Sequence, residues 1–194
     1  MQQQASNRPL IDVALIHYPV VNRVGETIGS AITNLDLHDI ARACRTFGVG
    51  RFYVVTPHHD QQGMIREILA HWRTGHGARA NPDRSAALAL VRICPDLDSL
   101  YAAVTAERGQ RPTILATSAR AGGKSWTFDR SKSAIAAGGP MLLLFGTAWG
   151  LAPEVLAGVD GVLPPIVGPD ISYNHISVRS AVAIVLDRLL GIRS

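Results

Sequence analysis

Short apolar runs recur along the chain at Ile11 to His17, Arg51 to Thr56, Leu90 to Cys94, Thr113 to Thr117, Met141 to Phe145 and Gly161 to Leu163, with helix-length stretches between them. Runs this short and continuous read as strands buried on both faces, and the intervening segments switch to helical periodicity. Leu37, Ile40, Ala41 and Cys44 fall at i, i+3, i+4, i+7; Ile65, Ile68, Leu69 and Trp72 repeat the pattern before Gly75 and Gly77 stop it. A shorter helix is expected after Asp96. In the last helix Val178, Ala181, Val182, Val185, Leu186 and Leu189 form one stripe, with Ser177 as its cap and Gly191 as its end. Strand alternating with helix predicts an α/β protein with a mostly parallel sheet.

With 194 residues, 47% of them hydrophobic and 18% charged, the chain suits one well-buried domain, is too apolar for disorder, and has no apolar stretch approaching a membrane span. Ile184, Leu190 and Ile192 widen the last helix's apolar face, which fits either a homodimer interface or a thicker core. Cys44 and Cys94 stand in apolar surroundings and read as buried free thiols. The opening MQQQASNRP resembles neither a secretion signal nor a transit peptide, so a cytoplasmic location is expected.

The net charge of +4 is unevenly distributed. Arg108, Arg111, Arg120, Lys124, Arg130 and Lys132 crowd one segment against a single acid, Asp129, whereas Ser133 to Val178 holds three acids and no Lys or Arg. One part of the chain is suited to phosphate and another avoids positive charge.

Among the motifs, SARAGGKS at Ser118 to Ser125 lacks the first glycine of a phosphate loop, and WTFDRSKS after it has no strong helix pattern, so a basic loop is the better reading. LFGTAWGL is not a dinucleotide fingerprint, and no Cys/His cluster has zinc spacing, so no metal is expected. Three strand ends marked by glycine or proline remain: Ala116 to Ala119, Leu144 to Leu151 and Leu163 to Ile184. A ligand at the carboxyl ends of neighbouring strands would meet all three.

FGTAWGL, then LPPIVG, then YNHISVRSAVAIVLDRLLG resembles the motifs of the SPOUT (SpoU–TrmD) RNA methyltransferases. NLDLHDIARACRTFGV at Asn34 to Val49 resembles the class's first motif. HYPV, TNLDLHDIAR, HWRTGHGA, NPDR and ATSAR add a likeness to one bacterial family of predicted members. The resemblance implies a single domain over residues 10–194 behind a flexible terminus at 1–9, an α/β fold with a C-terminal trefoil knot, and bent S-adenosylmethionine (SAM) as cofactor. Two departures stand out: GPDISYNH is longer than the usual G-x-x-Y-N-H loop, and Thr147, Ala148 and Trp149 replace the acid common in SpoU enzymes.

By that resemblance the cofactor contacts fall at Thr117, Ser118, Phe145, Gly146, Thr147, Gly150, Leu151, Leu163, Pro164, Ile166, Tyr173, Asn174, His175, Ser177 and Ser180. A Cβ at Gly146 or Gly150 would fill cofactor space. A pocket free of Lys and Arg suits a sulfonium cation. Arg42 matches the first-motif arginine and is the leading catalytic or phosphate-orienting candidate, with Asp39 and His17 as candidate proton acceptors. Asp39 and Arg42 are equally readable as an exposed ion pair, Asn34 as a helix cap, and His17 as a packed strand-end residue. Arg179 and Asn174 stand where the last helix's free N–H groups would meet an anion. Arg120, Lys124, Trp126 and Arg130 are the expected RNA contacts. The expected function is SAM-dependent methylation of structured RNA, tRNA ahead of rRNA, by a homodimer; the alternative is a non-catalytic SAM- or RNA-binding dimer or accessory subunit.

Overall fold

The computed structural model describes residues 9–120, 124–170 and 173–192. Its centre is strand β1 (Ile11–Ile16), buried along its whole length. Ile11, Val13 and Leu15 enter one apolar cluster while Ala14 and Ile16 enter the other, because successive side chains alternate across a strand covered on both faces. Asp12 is the exception in this run: it is fully buried and bonded to Arg108 Nε and to the Arg51 N–H, each at 2.8 Å.

On one side β1 pairs with β4 (Phe52–Val55), which pairs with β5 (Val91–Cys94); on the other it pairs with β7 (Met141–Gly146), then β6 (Thr113–Ala116) and β8 (Gly161–Val162). All these pairings are parallel. Each sequence-expected strand is present with its ends moved by a residue or so. A small antiparallel pair, β2 (Val20–Val21) and β3 (Thr27–Ile28), was not expected.

One face of the sheet carries α1 (Asn34–Thr46), α2 (His59–Arg73), α4 (Pro82–Leu88) and α8 (Val178–Leu190), with α6 (Phe128–Ala136) beside α8. The short α3 (His76–Ala80) links α2 to α4. The other face carries α5 (Leu97–Arg108) and α7 (Pro153–Gly158). In α8 Val182, Val185, Leu186 and Leu189 are buried, Ser177 is the cap, and Ile184 and Leu190 are half-buried beside them.

Two local expectations need correction. The cap of α1 is Thr33, whose hydroxyl accepts from the Asp36 N–H at 3.1 Å, and Asn34 is the first helical residue. WTFDRSKS does contribute a helix: Thr127 caps α6 by accepting from Arg130 N–H, and the inward face is built from Phe128, Ser131, Ala134 and Ile135. Ser131 is buried because its hydroxyl donates to the Thr127 carbonyl at 3.1 Å, so a hydroxyl stands where periodicity looks for an apolar side chain. Cys44 and Cys94 are buried and free.

After β1 the chain runs first through β2 and β3 on the α7 face and then crosses to α1 on the other, whereas the helix that follows its neighbour β7 is α7. Adjacent parallel strands whose following helices pack on opposite faces of the sheet open a crevice between them.

Candidate cofactor and RNA site

The floor of that crevice is a set of short contacts joining β1 to β7. Thr147 Oγ1 donates to the Ile16 carbonyl at 3.0 Å and lies 2.5 Å from Ser30 Oγ, which in turn lies 3.0 Å from His17 Nδ1. The Ser30 N–H donates to the His17 carbonyl at 2.8 Å. His17 is fully buried and its Nε2 has no hydrogen-bond partner. Burial lowers its pKa to about 4, against the opposing pull of Asp36, so the ring is neutral near pH 7.

Above this floor the residues after β7 form a tight loop. Gly150 N–H donates to the Thr147 carbonyl at 2.9 Å, Trp149 N–H to Val21 at 3.0 Å and Val21 N–H to Gly150 at 2.9 Å. Gly150 sits at φ +111°, where a side chain is strained, and Ala148 is held at φ +51°. At Gly146 the constraint differs from the expected one: an added Cβ would lie 2.6 Å from the Leu151 nitrogen. The loop's own backbone closes that space. At Gly150 nothing lies within 4 Å of an added Cβ, so its requirement is the backbone angle.

The other two segments meet this loop from the β6 and β8 side. Thr117 is bonded through its N–H and hydroxyl to the Leu144 carbonyl, at 3.0 and 3.2 Å. Leu163 is buried, and its N–H donates to Ala116 at 2.9 Å. Asn174 Nδ2 donates to the Ala119 carbonyl at 2.9 Å, tying the approach to α8 to the loop after β6; it does not cap the helix. Ser118 Oγ accepts from the Arg120 N–H, and Ser177 and Ser180 hydroxyls lie 2.9 Å apart. Phe145 and Leu151 are buried, Ile166 packs on the apolar cluster, and Pro164, Tyr173 and His175 are exposed. All of these expected cofactor residues therefore end β7, follow β6, β7 or β8, or open α8. Residues 121–123 of SARAGGKS and 171–172 of GPDISYNH lie outside the described residues.

The expected catalytic residues divide. Asp39 and Arg42 form an exposed pair at 3.9 Å on α1, and Arg179 reaches from α8 to Asp36 at 3.2 Å and to Asp39 at 3.6 Å. His17, by contrast, is fully buried beside Ser30. Arg179 thus locks the start of α8 onto the start of α1, a pairing that its position near a helix start did not foretell. Ser30, central to the floor, lies in a stretch with no periodic pattern, and no sequence signal marks it.

The basic segment also divides. Arg108 bonds Asp12, and Arg111 makes a two-pronged pair with Asp160 at 2.9 and 3.1 Å, both near the amino ends of the strands. Lys124 Nζ donates to the Val159 carbonyl at 3.1 Å. Trp126 lies against Gly161, with Arg130 stacked 3.4 Å from the centre of its ring, so the ring packs within the fold. Open aromatic surface near the crevice belongs instead to Trp149, 50% exposed, and Tyr173, 68% exposed. Among the described residues no group of His, Cys, Asp or Glu is arranged to hold a metal, and no helix is long and apolar enough to cross a membrane.

The family model described as SAM-dependent RNA methyltransferase matches residues 10–191. A protein of Oleidesulfovibrio alaskensis named tRNA (guanine-N(1)-)-methyltransferase is 48% identical over 178 residues, which are 92% of this chain and 41% of that protein. The chain thus spans less than half the length of that relative. An uncharacterised protein of Aquifex aeolicus is 36% identical over 180 residues, 92% of this chain and 87% of its own. Among solved structures, the SpoU methyltransferase AviRb from Streptomyces viridochromogenes, in complex with AdoMet, superposes with a TM-score of 0.55 at 15% identity, covering 98% of this chain and 62% of that one.

Proposed function

Because this chain belongs to the family of SAM-dependent RNA methyltransferases, we propose that it methylates structured RNA, tRNA ahead of rRNA, with SAM seated at the carboxyl ends of β6 and β7, on the β7 side of the crevice that this strand shares with β1. The observation that carries this reading is the convergence there of the 146–151 loop, the Thr117 turn, Leu163 after β8 and Asn174 before α8. Between Ser133 and Val178 there is no Lys or Arg, which suits a ligand carrying a sulfonium charge. The Arg111–Asp160 pair keeps its guanidinium near the opposite end of the strands.

The cofactor supplies an activated methyl group; the chain's own residues position it and its acceptor. Thr117, Phe145, Gly146, Thr147, Gly150 and Leu151 form one wall, Leu163, Pro164 and Ile166 the second, and Tyr173, Asn174, His175, Ser177 and Ser180 the third, with Ser118 beside Thr117. The floor contacts among His17, Ser30 and Thr147 hold the first wall to β1, so His17 serves as a positioning residue. Arg42, exposed on α1, orients a phosphate or ribose, and Asp39 is the proton acceptor on the same surface. Arg120, two residues beyond Ser118, and Arg130 are the basic side chains after β6 that meet the RNA, Lys124 and Trp126 bracing the segment that presents them.

The trefoil knot belongs to the same proposal. Its support is that β8 lies at the sheet edge while α8, the next helix along the chain, packs on both α6 and α1. A homodimer is supported by the exposed apolar side chains Leu35, Val167, Tyr173 and Ile176 around the same end of the molecule. A cytoplasmic location follows from a tRNA substrate, and the name of the Oleidesulfovibrio relative favours tRNA.

The test incubates the protein with methyl-labelled SAM and total cellular RNA, then identifies the modified nucleoside by mass spectrometry. Label is expected in tRNA. Cofactor binding without transfer into any RNA would sink the enzymatic reading.

A further inference from the structure

From Arg42 a basic surface continues away from the crevice floor, on the outer side where α1 meets α4. There Arg42, Arg45, Thr46, Asn81, Asp83 and Arg84 border a cleft of about 430 Å³. Arg42 and Arg45 stand three apart, and so point from successive turns of α1 toward α4. Arg84 faces them from α4, its guanidinium 4.9 Å from the centre of the Trp72 ring and its Nε buried without a hydrogen-bond partner. Trp72 is itself held edge-on by His38 at 5.5 Å, with the His38 Nδ1 likewise buried and unpartnered. The aromatic platform fixes Arg84 in place, so little side-chain freedom is lost when it meets a ligand.

The charge balance of the cleft is positive. Asp83 is the single acid on its wall, and Asp39 engages Arg42 only at 3.9 Å. Neither Arg45 nor Arg84 forms an ion pair among the described residues. Asn81 uses its side-chain oxygen to cap α4 by accepting from the Arg84 N–H, which leaves its amide N–H groups as neutral donors. Three guanidinium groups with amide and hydroxyl neighbours match tetrahedral anions carrying several acceptor oxygens. Arg45 lies nine residues along α1 from Asp36, the point where Arg179 joins α8 to α1, a span of about 14 Å at the helical rise. That is a few nucleotides of RNA backbone from the crevice.

We propose that the α1–α4 cleft, through Arg45 and Arg84 together with Arg42, binds backbone phosphates of the RNA on the flank of the methylated nucleotide. The inference rests on the methyltransferase reading above. It extends the phosphate contact of Arg42 to Arg45 and Arg84, on a surface outside the crevice floor and outside the Arg120–Lys132 segment.

The test measures binding of total tRNA by filter retention for the wild type, Arg45→Gln and Arg84→Gln across about 50 to 200 mM salt. Each variant is expected to bind about tenfold more weakly, with a salt slope shallower by about 1, while affinity for SAM is retained. Arg45 is exposed and makes no contact that the fold needs, so its variant should melt like the wild type, and it keeps the proposal falsifiable if Arg84→Gln loosens α4. Unchanged RNA affinity and slope in both variants, with a wild type that binds and methylates RNA, would overturn the cleft and leave the enzyme reading standing. A wild type that neither binds nor methylates RNA overturns both. Inorganic phosphate is the control ligand: saturable phosphate binding lost in Arg45→Gln, with RNA affinity untouched, would make this a small-anion site and overturn the RNA assignment.

Discussion

At the amino end of the sheet, charges are matched within the fold: Asp12 takes Arg108 and the Arg51 N–H, and Asp160 takes both prongs of Arg111 and the Ile114 N–H. On the crevice floor at the carboxyl end His17, Ser30, Thr117 and Thr147 are uncharged and bonded to backbone or to each other, the charged Arg179, Asp36 and Asp39 being paired where α8 meets α1, and the Trp149 and Tyr173 rings are open to solvent. Burial pushes the Asp12 carboxyl above its ordinary range while the Arg108 guanidinium pulls it back, so this pair stands on geometry more than on net attraction. The contrast separates an end that closes the fold from an end where a loop is held ready for a ligand.

The largest effect should come from breaking the closed end. Arg108→Ala leaves Asp12 buried without its partner and should cost about 3 to 5 kcal/mol, read as a lower denaturation midpoint, with SAM affinity preserved in whatever remains folded. Loss of cofactor binding without loss of stability would reverse the assignment of the two ends.

Next is the pH response of the open end. The folded pKa of His17, about 4, lies below its ordinary 6.5. Its contribution is therefore complete above about pH 6.5 and is lost as pH falls toward 4, because the unfolded chain takes up a proton that the fold refuses; the total is roughly 3 kcal/mol. The difference in unfolding free energy between wild type and His17→Gln should follow that slope, and a flat difference would show that the ring is not sealed.

Gly146→Ala places a methyl against the Leu151 backbone and should cost about 1 to 3 kcal/mol. Weakened SAM binding by calorimetry should accompany it, since the strand end and the loop must part. A variant with wild-type stability and unaltered cofactor affinity would show that the loop yields easily. The smallest effect is expected for Arg111→Ala, whose half-exposed pair with Asp160 should contribute under about 1 kcal/mol. Thermal melting resolves that difference, and SAM affinity should not move.

Most of the strands and the longer helices were readable because burial on both faces requires continuous apolar runs, and a helix packed on a sheet requires a 3.6-residue stripe. The α6 helix escaped because Ser131 and Ala134 occupy half of its inward face. The short β2–β3 pair, α3 and α7 carry too few residues for a period to register. In the site, Gly146 and Gly150 stood out as residue types, yet the reasons differ: one faces a neighbouring backbone, the other adopts a positive φ. The clustering of Arg108 through Lys132 read as one basic surface, but the fold sends Arg108 and Arg111 to the closed end and stacks Arg130 on Trp126.

The sequence by itself determined the alternation of strand and helix, the cation-free stretch from Ser133 to Val178 and the motifs that resemble SPOUT enzymes, since these depend on residue type and local order. Only the tertiary structure decided which ends of which strands meet, that Ser30 joins His17 to Thr147, that Arg179 bridges α8 to α1, and that Arg84 faces Arg42 and Arg45 across a cleft. Those pairings join residues far apart along the chain. Their energies depend on burial and direction, which no local pattern records.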